Sequence, residues 1–229
     1  MRKQLLKFQG IHVFFLILLL ACVYLITDIY PKIRSGSLWG ITTQAWLFLA
    51  LLVPILHQVY VLLCWRLELF GKRLSAWFGE PAFTYYKRGF TILILARPLT
   101  IIPLAIANKQ TLNLDPVLAL VLSIVLLIPA IYLFYSVKRF FGFDRAFGID
   151  HFEPEKYRDI PLVNKGIFKY TDNGMYTFGF LILYLPALIW FSKAALVVAI
   201  FQHLYIWVHH FFTEKPDMDF IYGEPVDHK

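Results

Sequence analysis

Six apolar runs alternate with polar segments along the chain, at residues 11–27, 41–64, 90–107, 117–137, 175–191 and 194–212. Runs apolar all round, with no polar face, predict helices surrounded by apolar matter rather than amphipathic surface helices. At about 1.5 Å per residue, the 24 or so positions of the second run exceed the ~30 Å hydrocarbon core of a bilayer, and the last two barely cross it. The pattern therefore predicts an all-α, polytopic transmembrane bundle of about six spans. The first run follows Arg2, Lys3 and Lys7 as a signal peptide would, but Asp28-Ile29-Tyr30-Pro31 is a poor cleavage site, so it reads as the first span. Pro54 is expected to kink the second span, which also holds His57 and Gln58. The third span is the least regular, with Arg97, Pro98 and Pro103, and the fourth is almost purely aliphatic and aromatic. Residues 71–88 read as a polar and aromatic loop with room for a short surface helix, and the tail from Thr213 as acidic and polar.

Composition agrees with this reading. Of 229 residues, 59% are hydrophobic and 18% aromatic, too little polar surface for a soluble domain of this length. One membrane domain is expected: scaffold spans over 1–137, a polar loop over 138–174, and a helical hairpin with its tail over 175–229. Cys22 and Cys64 both lie in apolar runs, which gives no disulfide framework and no metal site. The formal charge of +7 fits loop bias and anionic lipid headgroups, not nucleic acid. With both termini inside, the outside loops hold only Lys32, Arg34, Lys109 and Lys193, and every other Lys and Arg outside the spans falls inside. This asymmetry predicts cytoplasmic termini.

Two polar clusters stand out, at residues 166–176 and 209–218. Between them the chain is mostly apolar, and Ser192-Lys193 lies near the midpoint. Two short helices joined by a tight turn must be antiparallel neighbours. The chain that leaves the cytoplasmic face after Tyr176 therefore returns to it near His210, and the clusters meet there. The free backbone N–H groups at the start of the fifth span favour an anion at that end.

The first cluster presents Gly166, Phe168, Asn173, Met175 and Tyr176; the second presents Glu214-Lys215, then Met218, then Tyr222-Gly223. Together they resemble the integral-membrane methyltransferases of phosphatidylethanolamine and isoprenylcysteine. Those enzymes carry a Gly-x-Tyr-x-x-x-Arg-(His or Asn)-Pro-x-Tyr motif, then a Glu-Glu pair followed by an apolar residue and Phe-Gly. Asp172, Gly174 and Lys215 depart from that pattern, standing where the family has Arg, Pro and the second Glu. The wording of residues 213–218 is closer to the phosphatidylethanolamine branch. The resemblance covers about the last third of the chain.

The resemblance implies S-adenosylmethionine bound at the cytoplasmic ends of the last helices, with a membrane lipid acceptor entering from the bilayer and no metal. In-line methyl transfer needs positioning and a matching field more than a strong nucleophile. Glu214 suits the cofactor's ammonium group. Gly166 and Gly174 permit close backbone approach. The aromatic faces of Phe168, Tyr170 and Tyr176 suit the adenine and the cationic sulfur, and Asn173 is the remaining expected contact. An amine acceptor must lose a proton, and His209 or His210 is the candidate base. Arg97, a charge within a span, is the third candidate catalytic residue, contacting a substrate phosphate or a partner carboxylate.

Each of these positions also has a plain structural role. Asn173 is a favoured N-cap, the glycines suit turns, Glu214 suits a solvated tail, and the histidines and Tyr176 suit an interface. His57, Gln58, Gln202 and His203 suit inter-helix hydrogen bonds, and Glu68 an ion pair with Arg66. Three functions remain open: methyl transfer to a lipid headgroup amine, methyl transfer to a carboxylate or thiol on a hydrophobic acceptor, and a non-enzymatic transporter or scaffold. A membrane reductase with a similar hairpin is a further option, without a feature that requires nicotinamide. Compact loops point to a bacterial inner membrane.

Overall fold

The computed structural model describes residues 2–223. It is an all-α bundle, as the apolar runs predict. Five helices are long and apolar enough to cross a membrane, Lys3–Ile29, Thr43–Leu69, Ala82–Ala107, Pro116–Phe141 and Lys193–Tyr222. Their regular α-helical parts are α1 (Gln9–Ile29), α2 (Thr43–Leu69), α3 (Ala82–Ala107) and α4 (Pro116–Ser136), with α7 and α8 defined below. A two-residue hairpin, β1 (Ser37–Leu38) and β2 (Ile41–Thr42), joins the first two spans.

The fifth apolar run is not one α-helix. It comprises α5 (Gly174–Phe178), a 3₁₀ stretch Gly179–Tyr184 and α6 (Leu185–Ile189). Pro186 has no N–H for the carbonyl of Ile182, and the Leu185 N–H takes that carbonyl instead in the tighter 3₁₀ pattern. The change lengthens the segment. Sixteen α-helical residues would rise about 24 Å, and six of them in 3₁₀ geometry bring this to about 27 Å. The segment thus runs from one end of the bundle to the other. At its far end the carbonyls of Trp190 and Phe191 accept from the backbone N–H groups of Gln110, Thr111 and Leu112, at 2.7–3.0 Å.

That far end is organised by Asn108. Its Nδ2 donates to the carbonyls of Lys32 (2.9 Å) and Ser35 (3.0 Å), and its Oδ1 accepts from Thr111 Oγ1 (2.8 Å) and the Ala194 N–H (3.0 Å). Ser192 caps α7 (Lys193–His209) by accepting from the Ala195 N–H. Within α7, Ala194, Ala195, Val198 and Ala199 are fully buried against Ala50, Leu104, Ala105 and Ala187. Small side chains let the backbones approach closely, which is how helices pack where lipid removes the hydrophobic drive.

At the opposite end α7 does not stop at His210. A π-helical turn, His210–Glu214, leads into α8 (Lys215–Tyr222), so the tail expected to be simply polar continues the helix. Pro216 lacks an N–H for the carbonyls one turn back. The carbonyl of Phe212 is instead taken by Gln9 Nε2 at 3.0 Å and Arg66 Nη2 at 3.4 Å. The last expected tail residues, 224–229, lie outside the described residues.

Two further expectations are corrected. The third span begins at Ala82, not at 90, because residues 83–90, four of them aromatic, continue the helix and pack Tyr86 and Phe83 against Phe152. Glu68 does not pair with Arg66. It accepts from the Ser75 N–H at 2.9 Å, fastening the short helix Arg73–Phe78, while Arg66 reaches across the bundle to Asp217.

Candidate active site

Trp207, His210 and Glu214 follow one another at three- and four-residue spacing, so the end of α7 and the π turn present them on one face. The composite fifth segment delivers Tyr176 to that face. Its hydroxyl donates to the Glu214 carboxylate. The His210 ring lies 4.8 Å from the Tyr176 ring, and the Trp207 ring 5.8 Å from Tyr176 and 5.6 Å from His210. His210 Nδ1 is 3.8 Å from a Glu214 oxygen and has no hydrogen-bond partner. The Glu214 side chain is only 13% exposed. The result is a carboxylate beside a cluster of three aromatic rings, a setting that suits a cationic ligand.

The two polar clusters therefore do meet, through Tyr176 and the pair His210 and Glu214. Other expected site residues fall elsewhere. His209 is turned about 100° away on the helix; it is buried in the bundle, with ring centroids 5.9 Å from His12 and 6.0 Å from Trp65. Gly166 fastens the preceding loop to the end of α4. Its φ is +64°, a Cβ there would stand 2.6 Å from Ser136 Oγ, and Ser136 Oγ accepts the Ile167 N–H at 3.1 Å. Gly174 packs beside Ile167 and Leu133, and Phe168 is buried against Phe141. Asn173 occupies the N-cap position of α5. Its carbonyl accepts from Tyr176 and Thr177, but its side chain makes no capping bond. Tyr170 is 76% exposed. Phe168 and Tyr170 border a cavity of about 410 Å³ that also touches Asp172, large enough for a small organic molecule. A larger cavity, about 520 Å³, lies at the opposite end beside Gln110 and Lys193. Lys215 pairs with Asp219 at the surface (2.9 Å).

Arg97 also stands apart. It is 1% exposed, with Nε donating to His57 Nδ1 at 3.2 Å and Nη1 to Gln202 Oε1 at 3.4 Å. Gln202 precedes Glu214 by twelve residues, roughly 18 Å along a helix. His203 pairs with Tyr184 across helices at 3.2 Å.

Beside Glu214 lies a polar network that sequence reasoning missed. Arg66 Nε donates to both Asp217 oxygens at 3.1 Å. Its Nη1 donates to the carbonyls of Leu5 (3.0 Å) and Lys7 (2.8 Å), and its Nη2 to Phe212 and Thr213 at 3.4 Å. Asp217 faces His151 Nε2 at 4.0 Å, and His151 Nδ1 lies 3.1 Å from Asp150. Tyr222 donates to Asp150 at 3.1 Å and accepts from Arg145 at 3.2 Å. Burial alone would raise the Asp150 carboxyl, but the hydrogen bonds from His151 and Tyr222 and the charges of His151 and Arg145 outweigh it and hold the carboxyl below its ordinary value. Tyr222 and Asp217 sit in the second polar segment, which was the available signal; Asp150 and His151 sit in an unpatterned loop that carried none.

Comparison with known protein families matches residues 118–225 to the phospholipid methyltransferase family. The match begins near the start of α4 and takes in both polar clusters, Tyr176 and Glu214 included. Neither the curated proteins nor the solved structures compared with the chain gave a match. Over residues 118–225 the chain is thus similar to the phospholipid methyltransferase family, whose model it matches there.

Proposed function

We propose that the protein transfers a methyl group from S-adenosylmethionine to the headgroup amine of a phosphatidylethanolamine-like membrane lipid. The observation that carries this reading is the meeting of Glu214 with Tyr176, 38 positions away in the other polar cluster, and with His210, beside the Trp207 ring. The donor set fits the cofactor: one carboxylate and three ring faces match a ligand that bears both an ammonium and a sulfonium. When bound, S-adenosylmethionine supplies an electrophilic methyl group on a cationic sulfur. Glu214 holds the ammonium, and the ring faces of Tyr176 and Trp207 turn their negative π-surfaces toward the positive charge. His210 Nδ1, free of any partner, receives the proton that the acceptor amine must lose to attack. His209, enclosed between His12 and Trp65, takes no part in that step. Gly166, Phe168, Asn173 and Gly174 shape the loop that carries Tyr176, and Tyr170 lines the loop's cavity.

The Lys and Arg asymmetry supports a cytoplasmic location for the Glu214 end. The test is incubation of the purified chain with labelled S-adenosylmethionine and a total lipid extract. Label is expected in an amine phospholipid, and Glu214→Ala is expected to abolish it. Label in a carboxylate or thiol product, with full activity retained by His210→Ala, would assign the acceptor to the isoprenylcysteine-like class instead.

A further inference from the structure

Seven of the buried polar atoms that lack a partner among the described residues fall on neighbouring surfaces of α2, α3, α7 and the loop at residue 151: His57 Nε2, Trp65 Nε1, Tyr86 Oη, Arg97 Nη2, His151 Nε2 and both ring nitrogens of His209. Unpartnered buried polar groups are uncommon, and a concentration of them marks a place where something else completes the bonding. Arg97 is the charged member and lies deep in its helix. Ten residues of helix, about 15 Å, separate it from Ala107 at the Asn108 end, and about 22 Å separate it from Ala82.

The hydrogen-bond roles at Arg97 are determined by chemistry. A guanidinium only donates. His57 Nδ1, which receives the Arg97 Nε–H, is therefore the lone-pair nitrogen, and a neutral His57 carries its proton on Nε2. That N–H has no acceptor, and neither does Arg97 Nη2. Gln202 offers Arg97 its Oε1 and spends its Nε2 on the carbonyl of Ala50 at 3.4 Å. The site thus holds an excess of donors. It also holds an uncompensated charge: the partners of Arg97 are His57, Gln202 and the face of Phe180, whose centroid lies 5.2 Å from the guanidinium carbon, and no carboxylate bonds to Arg97 among the described residues. A buried cation without a counter-ion is costly, and in a membrane span it marks a functional site.

What is missing is an anion rich in oxygen acceptors. At this depth a small free ion would have to shed its water to enter, so the anion must arrive on an apolar body. The access side is also visible. Phe180, half-buried, covers Arg97 from the 3₁₀ stretch Gly179–Tyr184, and 3₁₀ geometry within a helical segment is a weak point that favours a hinge. The oxyanion is not the phosphate of a headgroup whose amine lies beside Glu214. In such a headgroup amine and phosphate are joined by a two-carbon bridge, whereas roughly 18 Å of helix separates Gln202 from Glu214.

We propose that Arg97, His57 and Gln202 form a binding site for the oxyanion, carboxylate or phosphate, of a bilayer amphiphile that enters past Phe180. The site is separate from the methyl-transfer centre and does not rest on that reading.

The test uses the full chain in neutral detergent, with no methyl donor present, and counts bound amphiphile by native mass spectrometry. Decanoate and decyl phosphate are the probes, and decanol is the neutral control for simple partitioning. The expected result is one saturable site for at least one of the two anions, none for decanol, and at least tenfold weaker binding in Arg97→Gln. Preference for decanoate assigns a fatty carboxylate and preference for decyl phosphate assigns a lipid phosphate. Should Arg97→Gln fail to give a monodisperse protein, Gln202→Leu and His57→Phe retain the arginine and are each expected to weaken binding several-fold. Equal binding by wild type and variants, or decanol bound as well as the anions, would overturn the proposal.

Discussion

Arg66 is the side chain on which the Glu214 end depends most. It is 1% exposed and its partner Asp217 is 2% exposed, so the pair is fully withdrawn from solvent. Replacing Arg66 by Met leaves the Asp217 carboxylate buried without its cation, and takes a donor from the carbonyls of Leu5, Lys7, Phe212 and Thr213, of which Lys7 and Phe212 keep Gln9 Nε2. Breaking a buried pair from one side costs about 3–5 kcal/mol. For a chain of this size each kcal/mol is worth about 2–4 °C, so the melting temperature should fall by about 6–20 °C. Tryptophan fluorescence on heating in detergent reads this directly. Asp217→Leu in the same chain removes the stranded carboxylate, so Arg66→Met with Asp217→Leu should recover part of the loss. Recovery should be incomplete, because the carbonyls of Leu5 and Thr213 still lack the donor that Arg66 supplied. A fall of less than about 2 °C for Arg66→Met, or two single effects that simply add, would refute the reasoning.

Two other expectations concern the loop beside this network. In Gly148→Ala the new Cβ would stand 2.5 Å from the Trp65 ring at a φ of +85°, and Trp65 is itself held 4.0 Å above His151; the loss should be about 2–6 kcal/mol by thermal melting, whereas Gly142→Ala, also at positive φ (+88°) but with open space around it, should lose far less. Asp150 is held below its ordinary value in the folded state, so its contribution to stability is present above the unfolded carboxyl value of about 3.9 and disappears as pH falls through the lower folded value. Melting from pH 7 to 3 should therefore show Asp150→Asn less stable than wild type at neutral pH and a gap that closes at the acid end; a gap independent of pH would contradict this.

The spans were legible because burying a backbone in lipid demands long apolar runs, and those runs survive in one dimension. The fifth was legible as an apolar run, but not as a composite that falls short of the five long spans. Only Pro186 hinted that Ile182 would be served from Leu185. The early start of α3 was hidden because Phe83, Tyr85 and Tyr86 read as loop aromatics until Phe152, far along the chain, gives them a partner. Within the site, Tyr176 and Glu214 were legible from motif spacing and hairpin geometry. The division of labour between His209 and His210 follows from helix rotation, but which of them faces Glu214 requires the packing of α1 and α2. The pair Arg66 and Asp217, 151 residues apart, has no local signature at all. Arg97 was legible as an anomalous charge, while the neutrality of its neighbours was not.

Calorimetric titration of the purified chain with S-adenosylmethionine tests the central claim most directly. Saturable one-site binding is expected for the wild type and none for Glu214→Ala. Absence of binding to well-folded wild-type protein, or undiminished binding by Glu214→Ala, would contradict the account.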